Sequence, residues 1–101
     1  AAELARVEAE LRRRPGDPAL LGARGALLVE LGRHAEARQD LLASLRQLGW
    51  NADRLLQLAR ACEGLGDKAG AAKIAGALAA EPERLTAAQK RQLAELRQRL
   101  R

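Results

Sequence analysis

His34 and Cys62 are the only histidine and the only cysteine in this sequence, which also lacks tyrosine. Imidazole chemistry near neutral pH and thiolate attack would have to come from these two side chains. A nucleophile, a base and an orienting acid cannot be assembled from so small a set, so no catalytic residue and no enzyme is expected. The two residues share no ligand spacing with each other or with an acidic companion. Neither a metal nor any other cofactor is therefore expected. A lone cysteine also forms no intramolecular disulfide, and Cys62 reads as a small buried hydrophobe, with His34 as a partly buried packing residue.

The densest charge is Arg12-Arg13-Arg14, followed by Pro15. Cations are favoured at the C-terminal end of a helix, which is the plain reading of this run. Contact with a phosphate or an acidic partner is the functional alternative. Nucleic acid is not expected as a partner, because Trp50 is the sole aromatic and no aromatics interleave the arginines to stack bases. The net charge of +5 is partly offset by Glu8/Arg12, Glu10/Arg14 and Glu95/Arg99, each an i,i+4 pair with the acid first. Residues 90–101 form a basic amphipathic stretch without Trp or Phe on its apolar face, and no apolar run approaches the ~20 residues that span a bilayer. No membrane insertion is expected. The sequence opens Ala1-Ala2-Glu3 without methionine, as expected of a piece of a longer protein.

The elements that must carry these residues are helical. Ala, Leu, Arg, Glu and Gln dominate, and a core without Phe, Tyr or Met must be built from Leu and Ala, which favours closely approaching helices in thin layers. The sequence also repeats. A shift of 34 pairs Leu21 with Leu55, Gly25 with Ala59, Leu28 with Cys62, Leu31 with Leu65, Gly32 with Gly66, Ala35 with Ala69 and Ala37 with Ala71. Intervening residues differ freely. Repetition confined to apolar and small positions marks units that bury their faces on one another. Within the first unit, Leu21, Gly25, Leu28 and Leu31 follow helical spacing, and the phase restarts after Gly32 at Ala37, Leu41, Leu45 and Leu48. Gly32 and Gly66 are placed to end helices at positive φ, Pro18 to open one, and Thr86 with Gln89 to form a capping box.

With a small residue at position 8, Gly at 15 and Ala at 20 of a 34-residue unit, the sequence resembles the tetratricopeptide repeat. Counted from Pro18 the matching residues are Leu21, Gly25, Leu28, Gly32, Ala37, Leu41 and Ser44. From Ala52 they are Leu55, Ala59, Cys62, Gly66, Ala71, Ala75 and Leu78. The second unit departs where Leu78 replaces the usual small residue and where Pro82 falls one place early. The resemblance implies an all-α, right-handed solenoid of antiparallel helix pairs with about six helices. Residues 3–14 would be the second helix of a partial unit, 18–51 and 52–85 full units, and 86–101 a capping or next-unit helix.

In that family the first helices line a concave face that takes another protein's helix or extended segment. The matching positions here are Ala19, Gly22, Ala26, Val29 and Glu30, then Asp53, Leu56, Arg60, Glu63 and Gly64. The lysine and asparagine with which chaperone-binding members clamp a terminal carboxylate are replaced by Gly22, Ala26, Leu56 and Arg60. A co-chaperone role is disfavoured. The resemblance thus implies a noncatalytic interaction scaffold. The Arg-rich, Ala/Leu-heavy style is more narrowly similar to the periplasmic repeat regions of bacterial exopolysaccharide export proteins. The alternatives are a cytoplasmic chaperone or adaptor for a secretion substrate and a basic polyanion-binding repeat. Self-association through open repeat ends is a further expectation, and Trp50 reads either as a packing plug or as an exposed anchor.

Overall fold

The computed structural model describes residues 2–101, and among them the chain is all-α. Six helices follow in order: α1 (Ala2–Arg13), α2 (Pro18–Glu30), α3 (His34–Leu48), α4 (Ala52–Gly64), α5 (Lys68–Ala79) and α6 (Ala87–Arg99), with a single 3-10 turn at Pro82–Arg84 before the last. α2 and α4 begin 34 residues apart, and so do α3 and α5.

The boundaries are written in local chemistry. Pro18 opens α2 behind Asp17, whose carboxylate accepts from the amides of Ala19 and Leu20 at 3.0 and 3.1 Å. Asn51 caps α4 through the Arg54 amide, Asp67 caps α5 through that of Gly70, and Thr86 and Gln89 close a full capping box on α6. At the other ends, Gly32 and Gly66 have φ of 77° and 78°. This left-handed conformation lets Gly32 N–H donate to Val29 O and Arg33 N–H to Leu28 O. Gly66 and Asp67 repeat the pattern onto Glu63 and Cys62. Both pairs of carbonyls that the helix leaves unbonded are satisfied in the same way, and only glycine takes this φ cheaply.

Each helix packs on its sequence neighbours, and α2 with α4 and α4 with α6 also touch directly. The result is elongated, 40 × 27 × 21 Å. Two apolar clusters fill it. One gathers Leu4, Leu28, Val29, Ala37, Leu41, Leu58 and Ala61; the other gathers Ala52, Leu56, Ala59, Cys62, Ala71, Ala75, Leu78, Leu93 and Leu96, and half-buried Ile74 packs against both. Leu78, the departure from the repeat pattern, is fully buried. The extra volume is accommodated beside alanines at 59, 71 and 75. α6 joins the same core through Leu93 and Leu96, so these two leucines of its apolar stripe are used internally.

One buried polar link crosses α2 and α3. Arg24 donates from Nε and Nη2 to the two carboxylate oxygens of Asp40 at 2.7 and 3.0 Å, and the bond holds the guanidinium pKa above its ordinary value. A shift of 34 puts Leu58 and Ile74 at these positions. The second helix pair thus does without the ion pair. Asp40→Ala is expected to cost about 1–3 kcal/mol, the low side for a buried pair because Arg24 keeps partial access to water. Arg24→Leu with Asp40→Ile is expected to be neutral or stabilising in urea denaturation, since apolar replacement removes both desolvation costs. A double variant weaker than Asp40→Ala would contradict this.

Candidate functional site

Helical spacing brings Asp53, Leu56, Gln57, Arg60 and Glu63 to one face of α4, and Gln92, Glu95, Leu96 and Arg99 to one face of α6. These faces meet beside Val29 and Glu30 at the end of α2 and His34 at the start of α3. They enclose a cleft of about 700 Å³. Val29, Leu56 and Leu96 are buried and form its floor, with exposed polar groups along the sides.

The sides are tied together in pairs. Arg60 Nη1 donates to Glu30 across α2 and α4 at 3.2 Å, and Arg99 donates twice to Glu63 across α4 and α6, both at 3.0 Å. Gln89 donates from its side-chain amide to Asp53 at 2.9 Å. The Glu63 bond raises the Arg99 pKa above its usual value. These contacts link consecutive helices of the cleft like rungs. Glu95 is left without an ion pair among the described residues. Counting Glu30, Asp53, Glu63 and Glu95 against Arg60 and Arg99, the lining is net acidic within a net basic chain. A cationic segment is therefore the charge complement of this cleft.

The cleft brings together Val29, Glu30, Asp53, Leu56, Arg60 and Glu63. Ala19, Gly22 and Ala26 do not line it. Ala19 is exposed, Ala26 half-buried, and Gly22 buried; a methyl on Gly22 would lie 2.8 Å from both Arg54 Nε and Ser44 Oγ. The Arg54 side chain therefore lies against Gly22, one of the positions expected on the concave face. Gly64 also has an internal role, since any side chain there would overlap the His34 ring. His34 thus packs across the junction of α3 and α4. Its Nδ1 is the single buried side-chain polar atom without a hydrogen-bond partner among the described residues.

The contribution of α6 through Gln92, Glu95 and Arg99 was missed by repeat counting. The available signal was the common interval of 36 that separates Asp53 from Gln89 and Glu63 from Arg99. It also redirects an expected local pair: Arg99 bonds Glu63 rather than Glu95. Glu10/Arg14 does form, at 3.0 Å, whereas Arg12 makes no ion pair among the described residues. Of the arginine run, Arg13 also reaches Glu10 and Arg14 reaches Asp17, so much of that charge is used at the end of α1.

Cys62 is buried in the second cluster, and loss of hydration pushes its thiol pKa up, with Asp67 adding to the shift. Trp50 is half-buried against the same cluster, with the Arg84 guanidinium 3.7 Å from its ring centre. That cation covers a face of the indole. No group of three potential metal ligands occurs among the described residues, and none of the helices is long and apolar enough to cross a membrane. No family model, curated protein or solved structure matches the chain.

Proposed function

We propose that the protein is a noncatalytic interaction scaffold of the tetratricopeptide type, a right-handed solenoid whose first helices, α2, α4 and α6, present a binding cleft. The observation that carries this reading is that these three alternate helices supply nearly all of the lining from matching faces. The direct contacts of α2 with α4 and α4 with α6 support it, as do the paired glycine turns. The partner is a protein segment laid along the cleft, an apolar edge on Val29, Leu56 and Leu96 and basic side chains toward Glu95 and its neighbours. The composition supports a place in a bacterial periplasmic export assembly for exopolysaccharide, where such a scaffold gathers secretion components.

A photoreactive residue at exposed Gln92 in the cleft tests the reading against one at exposed Gln47 on α3. Irradiation in the native cells is expected to give discrete protein adducts from position 92 only. Adducts with the same pattern from both positions, or none from 92, would overturn it. Fractionating the adducts by compartment tests the periplasmic assignment separately.

A further inference from the structure

One ionisable side chain in the cleft takes no part in the rungs. His34 rests its ring on Gly64, where any side chain would overlap Cδ2, Nε2 and Cγ of the imidazole, and its Nδ1 is buried without a hydrogen-bond partner among the described residues. A neutral ring tolerates that seat, because one of its nitrogens carries no proton. An imidazolium does not. Both of its nitrogens are donors, and the one at Nδ1 would hold part of a positive charge against no acceptor. Imidazole is also the side-chain type that changes charge between about pH 5 and 8, and His34 is the sole histidine.

The acceptors that its seat lacks are available in the cleft. His34 shares the lining with Glu30 from α2, with Asp53, Arg60 and Glu63 from α4, and with Glu95 and Arg99 from α6. Arg60 bonds only Oε1 of Glu30, whereas Glu63 gives both oxygens to Arg99, and Glu95 has no ion pair among the described residues. Glu30 Oε2 and the Glu95 carboxylate thus remain open. The nearby charges of α3, Arg33 and Glu36, pair with each other, and Arg38 pairs with Asp67 at the start of α5. Because the cleft is net acidic, a cation gains by entering it.

We infer that His34 is a proton-operated gate on the cleft. Neutral, it stays on Gly64 and leaves the carboxylates to the basic side chains of a partner. Protonated, it turns off Gly64 into the cleft toward Glu30 Oε2 and Glu95, and competes with those side chains. The competition rests on the scaffold reading above; the movement of the ring does not.

The ring is followed by NMR in the whole chain, where a sole histidine gives one set of ring signals. At about pH 8 its protons are expected to show nuclear Overhauser contacts to the α-protons of Gly64, and at about pH 5 to lose them while helical circular dichroism is unchanged. Contacts that persist while the ring titrates would overturn the gate. Competition is read by fluorescence anisotropy with a labelled synthetic helix of about four turns, its leucines at i, i+4, i+7 and i+11 flanked by arginines. Binding is expected to be about tenfold weaker at about pH 5.5 than at about pH 7.5, as the share of neutral imidazole falls. His34→Phe keeps a flat ring that takes no proton, and is expected to remove this dependence. An equal dependence in His34→Phe, or none in the unaltered chain, sinks the competition. A peptide that binds at neither pH overturns the cleft reading and the competition with it, and the spectra still decide the movement of the ring.

Discussion

Leu41→Ala is expected to lower the free energy of unfolding by about 2–5 kcal/mol. Leu41 is fully buried in the cluster that joins α2, α3 and α4. Its neighbours explain why the loss falls toward the upper part of that range. A methyl on Gly25 would sit 2.7 Å from Leu41 Cγ, so this leucine fills the space that the missing side chain of residue 25 leaves. Gly25 and Ala37 have nothing with which to refill the void. The α2–α3 contact is also tied at Arg24–Asp40, which resists collapse of one helix onto the other. A chain of this size has roughly 5–15 kcal/mol in total, so the variant loses a large fraction of its stability. Urea denaturation should show a lower midpoint at unchanged m-value. A loss under about 1 kcal/mol would mean that the site repacks, contrary to the close approach described.

The converse substitution, Gly25→Val, is expected to cost about 1–3 kcal/mol despite the better helix propensity of valine. The new side chain collides with Leu41 Cγ and Cδ2, at 2.7 and 3.0 Å from its Cβ, and stands 3.3 Å from the carbonyl oxygen of Ala37. The leucine is fully enclosed, and the carbonyl belongs to the backbone of α3. Strain is relieved only by separating α2 from α3. Combining Gly25→Val with Leu41→Ala supplies the missing room, so the double variant should be more stable than the sum of the two losses by about 1–3 kcal/mol. Strict additivity would show that the two residues do not share this space. The second helix pair has Ala59 and Ala75 at the equivalent places, both buried. Within one chain, then, the same junction is built once as nothing against leucine and once as alanine against alanine.

The features that could be read in advance are those with local causes. Gly32 and Gly66 follow from the sign of one backbone angle, Pro18 and the Thr86–Gln89 box from the first turn of a helix, and the apolar faces from the 3.6-residue period. Leu78 was visible as an exception, but its place among small neighbours was not. Contacts between helices depend on stagger and rotamer, which the sequence does not encode locally. For that reason Arg24–Asp40, Arg54 over Gly22 and His34 against Gly64 went unseen, although each joins residues at least ten positions apart. The expected Glu95/Arg99 pair shows the competition plainly. A local pair on an exposed helix is worth only a few tenths of a kcal/mol. A two-pronged bond to Glu63 on α4 outweighs it.

The rungs across the cleft have a mechanical consequence. Glu30–Arg60 and Glu63–Arg99 hold neighbouring helices at a set separation, yet each involves side chains with access to solvent. Exposed pairs contribute about 0–1 kcal/mol each, less as salt screens them. The width of the opening is accordingly a soft coordinate, restrained by weak struts above a buried floor of Val29, Leu56 and Leu96. Under the proposed scaffold reading, such an opening would admit segments of different girth at small elastic cost, and ionic strength would set its stiffness.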